Sequence, residues 1–263
     1  MRRYKVADAT KPFEELVAEA ESWKMQGWDF SSFGDRWVES KPPWDYRESV
    51  ASRLRGVDSL LDLGTGGGEF LSSLAPLPKR TIATEGYPPN VGVASDRLRP
   101  LGVDLVWTYC DDNDKVPQCG SLPFKDDSFD LIVDRHEAFI ASEVYRVLRP
   151  AGTFVTQQVG SANLRQLNEL LGAGHVRDRW NLEAAVGQLE SAGFNVTERH
   201  KAEFVSAFKD IGAVVMLLRA VPWQIPDFSV ERHRNKLEEV DSLIRERGSL
   251  KVTATRFLIQ ATK

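Results

Sequence analysis

Cysteine is almost missing from this chain, with only Cys110 and Cys119 in 263 residues. Two thiols in one stretch, without metal-ligand spacing, exclude a disulfide framework and suit a reducing compartment. No run is long and apolar enough to span a bilayer. A dominant charge is lacking too. Lys and Arg number 34 against 38 Asp and Glu, for a net charge of −4, so no global basic field points to a polyanionic partner. The basic start, Arg2-Arg3, leads to Glu14, Glu15 and Glu19 rather than an apolar signal core, so a cytoplasmic location is expected. Internal repeats, low-complexity tracts, zinc modules and basic arms are likewise absent.

What remains is an ordinary globular composition, 42% hydrophobic and 27% charged, at a length suited to one α/β domain with appended elements. Phe13, Leu16, Val17, Ala20 and Trp23 share one face of a predicted helix over 10–25. Residues 26–46 read as an irregular aromatic segment holding Trp28, Phe30, Phe33, Trp37, Trp44 and Tyr46, followed by a helix over 45–55. From there strands and helices alternate. Strands are expected at 59–63, 80–84, 103–109, 129–134 and 152–159, with helices at 68–75, 90–99 and 138–148 between them. Alternation of this kind predicts a doubly wound parallel sheet.

A further helix, Asn181 to Ala192, is closed by Gly193 and leads to a strand from Phe194. Some fifty residues then separate it from a last strand over 252–261, more than a hairpin requires. This insertion reads as an apolar helix, Ile211 to Val221, stopped by Pro222, and a charged helix, Val230 to Arg247, stopped by Gly248.

The most informative stretch is Leu60-Leu61-Asp62-Leu63-Gly64-Thr65-Gly66-Gly67-Gly68, an apolar strand entering a turn nearly free of side chains. Glycine tolerates positive φ and lets a ligand approach the main chain. Between a strand and a helix start, such a turn is expected to present free N–H groups to a polar or anionic ligand. A nicotinamide site would want a third glycine for close packing, where this chain has Glu69. An acid two residues before the first glycine, Asp62, suits the ammonium group of S-adenosylmethionine better.

The loop, written D-x-G-x-G-x-G, resembles motif I of the class I methyltransferases. Leu122-Pro123-Phe124 through Ser128-Phe129-Asp130 resembles the L-P-F-x-x-x-S-F-D segment of their type 11 family. Glu143 to Gly152 resembles its E-x-x-R-V-L-R-P-G-G strand entry, with Ala151 replacing one glycine. The resemblance covers residues 44–200. It implies an α/β fold with a seven-stranded, mostly parallel sheet whose last strand lies antiparallel between its neighbours. It also implies an N-terminal arm (1–46), a cofactor-binding core (47–200) and a lid insertion (205–248), all in a single domain.

S-adenosylmethionine is the implied cofactor, bound by Asp62, Gly64, Thr65, Gly66 and Gly68. Glu85, at the end of the second strand, is placed on the ribose hydroxyls. Asp112 is the candidate for the adenine amino group; the alternative is that its acidic cluster is simply solvated. Tyr46 is a weaker candidate for the methionyl end.

Methyl transfer asks the protein to align donor and acceptor, exclude water and remove a proton where needed. His136, just past the fourth strand, is the first candidate for acid–base work, with Glu137 second. Gln157 and Gln158 could donate to a polar substrate or serve as polar residues of a sheet end. The absence of an N-P-P-Y clamp and of a Pro-Cys nucleophile turns the expectation toward O- or N-methylation of a small molecule, by a monomer or homodimer. An RNA-base methyltransferase is the alternative, because Gln157–Leu170 bears a slight resemblance to a ribosomal-RNA guanine methylase family. A non-catalytic cofactor-binding module is the third reading. The acidic balance disfavours nucleic acid.

Overall fold

The computed structural model describes residues 11–25, 28–108, 121–173 and 179–263. Helix α1 (Phe13–Ser22) precedes a short strand β1 (Trp37–Glu39) and helix α2 (Tyr46–Ala51), whose N-cap Asp45 accepts from the backbone of Arg47 and Glu48. Then follow β2 (Ser59–Leu63), α3 (Glu69–Ser73), β3 (Arg80–Glu85), α4 (Pro88–Leu98) and β4 (Asp104–Trp107). The second half continues with β5 (Phe129–Arg135), α5 (Ala141–Val147), β6 (Leu148–Val159), α6 (Arg165–Leu170) and α7 (Leu182–Ser191). It ends with β7 (Asn195–Phe208), α8 (Ile211–Ala220), α9 (Val230–Arg247) and β8 (Leu250–Thr262).

The sheet order is β1-β7-β8-β6-β5-β2-β3-β4. Strands β6, β5, β2, β3 and β4 run parallel, and β8 lies antiparallel between β6 and β7. Seven of these strands form the expected class I sheet. The eighth, β1, comes from the stretch expected to be irregular. It joins because Trp37 stacks on Phe208 with ring centroids 6.0 Å apart and donates its indole N–H to Ser206 Oγ at 2.7 Å. Three residues carry too little pattern to announce a strand, and the edge of β7 supplies the missing half.

Every residue of β2 is buried, as a central parallel strand requires. One sheet face packs Phe129, Ile132, Phe154 and Phe257 under α5 and α7. The other packs Leu60, Leu131, Val133 and Leu258 under α2, α3 and α4. A third cluster joins α1, α8 and α9 to the ends of β7 and β8. All residues from Ile211 to Leu218 are buried there, so α8 is core on every side. No described helix is long and apolar enough to cross a membrane.

Candidate functional site

The carboxyl ends of β2, β3 and β5 meet at one crevice, as the topology of an open parallel sheet dictates. The loop after β2 has φ of 62° at Gly64, 62° at Gly66 and 79° at Gly68. Each glycine also faces a close neighbour. A Cβ at Gly64 would lie 2.3 Å from Glu137 Oε2, and one at Gly66 would lie 2.7 Å from Trp28 Cδ1. At Gly68 it would lie 2.9 Å from Leu98 Cγ, where α4 packs against the loop.

The expectation of free loop N–H groups needs correcting at Gly64 and Thr65. Gly64 N–H donates to Thr84 Oγ1 at 3.1 Å and Thr65 N–H to Thr84 O at 2.8 Å, so both pin the loop to β3.

Glu85 is 3% exposed. One oxygen, Oε1, accepts from Tyr87 N–H at 2.7 Å, and the other is buried without a partner among the described residues. Burial raises its pKa. An unpaired buried acceptor is costly, and a vicinal diol would satisfy it. Asp62 is equally enclosed. Burial pushes its carboxyl up to about 7, with Glu85 adding to the rise and Arg135 opposing it.

Asp134 lies deeper, with no exposure. Its Oδ1 accepts from Glu137 N–H at 3.0 Å and from Gln158 Nε2 at 3.1 Å, while Oδ2 has no partner among the described residues. Burial first, then the Glu137 carboxylate, raises Asp134 well above the usual carboxylate range. A cavity of about 280 Å³ opens beside these acids, lined by Gly64, Thr84, Gly86, Trp107, Leu122 and Glu137.

His136 follows β5 with φ of 73°, a left-handed conformation held by its N–H donating to Gln157 O at 2.8 Å. Its Nε2 lies 3.1 Å from Gln157 Nε2, and Gln157 Oε1 lies 2.8 Å from Trp44 Nε1. An indole nitrogen can only donate, so Gln157 turns its carbonyl to Trp44 and its NH₂ to His136. His136 Nε2 therefore accepts, and the ring proton sits on Nδ1. His136 is open to solvent just past the carboxyl end of β5. The protein packed around it, with Arg256 and Arg135, holds the imidazolium well below its usual range. The ring is neutral at physiological pH.

Among the expected site residues, Asp62, Gly64, Thr65, Gly66, Gly68, Glu85, His136 and Glu137 thus lie around one crevice. Asp112 lies outside the described residues. Tyr46 does not line the site. It is buried against Phe70, and its hydroxyl donates to Asp134 O at 2.8 Å while accepting from Asp134 N–H at 3.2 Å. Gln158 is likewise internal, reaching Glu137 O at 2.9 Å. Asp134 and the Trp44–Gln157 link carry more of the site's chemistry than the sequence suggested. Both depend on cross-strand register, Asp134 facing Thr156 and Arg135 facing Gln157. Trp28 roofs Gly66, and Trp223, between α8 and α9, packs on it at 5.8 Å.

The methyltransferase-domain family Methyltransf_11 matches residues 61–156, the stretch that builds this crevice. The uncharacterized methyltransferase YcgJ of Bacillus subtilis (strain 168) is 29% identical over 156 residues, 52% of this chain and 59% of that relative. The YcgJ crystal structure superposes with a TM-score of 0.54 at 19% identity, covering 83% of this chain and 97% of that one. A solved structure from Bacillus halodurans C-125 gives 0.56 at 21% identity, covering 82% and 96%. The [4+2]-cyclase SpnF shares the fold at 0.50 and 18% identity, covering 82% of this chain and 79% of that one. One fold thus hosts different chemistries, and the acceptor has to be argued from the site. The glycine cradle, the buried Asp62 and the unpaired Glu85 oxygen fit the ammonium and ribose of S-adenosylmethionine, and residues 61–156 of the chain match a methyltransferase domain.

Proposed function

We propose that the protein methylates oxygen or nitrogen of a small molecule, with Asp62 at the cofactor's ammonium group and Glu85 at its ribose. The observation that carries this reading is the buried, partnerless Glu85 Oε2 beside a cavity bounded by the glycine loop. Gly64, Thr65, Gly66 and Gly68 shape the wall, and Asp112 is assigned to the adenine amino group. S-adenosylmethionine bound there supplies an activated methyl group on its sulfonium. The chain's own residues bind, orient and exclude water. Trp28, from the arm (1–46), and Trp223, from the insertion (205–248), close over the loop.

His136 and Glu137 are the acid–base pair of this proposal. His136 already accepts from Gln157 through Nε2, so it takes up a proton there only when that amide lets go. Glu137 lies directly on Gly64 of the loop. A turnover screen settles the acceptor class. Purified protein, methyl donor and either pooled cell metabolites or total RNA are incubated, and the demethylated donor product is measured. Product with metabolites supports the proposal. Product with RNA alone overturns it, and donor binding without turnover on either pool leaves a non-catalytic binding module.

A further inference from the structure

Beside the carboxyl end of β5 the sheet places two arginines on one face. Arg135 pairs with Gln157, Gln157 with Leu258, and Arg256 lies two residues along β8 from Leu258. Side chains two apart on a strand point the same way, and directly paired residues share a face. Arg135, Gln157 and Arg256 therefore line one surface, with Trp44 bonded to Gln157.

The two arginines differ in what occupies them. Arg256 has a side chain only 12% exposed; Nη1 donates to Asn163 Oδ1 and Thr255 O, each at 2.9 Å, and Nη2 to Glu39 Oε2 at 3.2 Å. Arg135 is exposed at the mouth, its guanidinium 5.5 Å from the Phe70 ring. It makes no hydrogen bond or ion pair with the described residues. Among the described residues Glu39 is the one carboxylate bonded to this pair, and Asp62 lies in the field of Arg135 without bonding it.

A guanidinium with an open fork, on the face that flanks His136, matches a planar oxyanion through two parallel hydrogen bonds. The partly desolvated Arg256 strengthens that field without competing for the same ligand atoms. Trp44 provides an apolar wall beside it.

We infer that the acceptor carries an anionic group, a carboxylate or a phosphate monoester, bound by Arg135 in the field of Arg256 with Trp44 flanking the rest of the molecule. The word acceptor rests on the methyltransferase reading; the anion site itself does not.

The test uses the full chain and three probes of similar size, benzoate, phenyl phosphate and benzamide, titrated by tryptophan fluorescence. The demethylated cofactor product is titrated in parallel by calorimetry. Saturable binding is expected for at least one anion, with benzamide at least tenfold weaker. The preferred anion tells carboxylate from phosphate. Arg135→Gln should lose tenfold or more on that anion, with Arg135→Lys recovering part of the loss and keeping cofactor-product affinity; in Arg135→Gln that affinity falls by far less than the anion's, because the guanidinium also acts on Asp62.

Equal binding of benzamide overturns the inference, as does no saturable anion binding or an unchanged Arg135→Gln variant. A loss confined to the cofactor product overturns it as well, moving Arg135 to the methionyl carboxylate. Displacement of the anion by a short RNA at far lower concentration also overturns it, in favour of a macromolecular acceptor. Anion binding without any cofactor affinity would leave this site standing and remove the methyltransferase reading.

Discussion

Trp44 and His136, 92 residues apart in the chain, are joined by a single amide: Gln157 accepts from the indole at 2.8 Å and meets the imidazole at 3.1 Å. The donor-only indole thereby fixes which imidazole nitrogen carries the proton. Trp44→Phe removes that constraint and lets the amide turn. Nitrogen NMR of the imidazole should show the Nδ1–H tautomer in the parent protein and a mixture in the variant. A hydrogen bond of this kind contributes about 0.5–1.5 kcal/mol, enough to shift the tautomer ratio several-fold. An unchanged spectrum would mean that something else orients His136.

Asp62 makes the ligand-free protein sensitive to pH. A carboxyl raised to about 7 by burial binds a proton in the folded state that the unfolded chain has already lost above pH about 4. Its contribution is fully present below the unfolded value and disappears as pH rises through about 7. Asp62→Asn should therefore raise the melting temperature at pH 8 relative to the parent, by the equivalent of a few kcal/mol, roughly. The gain should shrink markedly by pH 5. The same variant should bind the cofactor at least tenfold more weakly.

Glu85→Ala deletes the acceptor placed on the ribose, a group shared by the methyl donor and its product. Both should lose affinity alike, by about tenfold or more, equivalent to roughly 1.4 kcal/mol. Calorimetry on the two ligands checks this. A loss confined to the donor would place Glu85 nearer the sulfonium.

Ala151 sits at φ of 63°, where the family resemblance expects glycine. A Cβ in the left-handed region costs about 1–2 kcal/mol, partly offset by the greater freedom of an unfolded glycine. Ala151→Gly should stabilise the fold by about 0.5–1 kcal/mol in denaturant unfolding, without changing cofactor affinity.

The parallel sheet was legible because glycine and proline punctuate it and the apolar runs between are strand-length. Gly193, Pro222 and Gly248 end or follow their helices as expected. Glu85 and the glycine loop were legible for the same reason, since both are fixed by position along a βαβ unit. Other features depend on neighbours distant in sequence. β1 exists only because β7 offers an edge. Gln157 reads as a polar sheet-end residue until its register against Arg135 is known. Tyr46 looked available until Asp134's backbone claimed its hydroxyl.

The attachment of the arm also sets an order of events during synthesis. Helix α1 packs on α8, and β1 pairs with β7, so these elements wait for partners made well after them. Until then the aromatic stretch through Phe33 and Trp37 has no lasting home and is exposed to solvent and chaperones. A chain truncated before residue 195 would lose the anchor that carries Trp28 to the glycine loop.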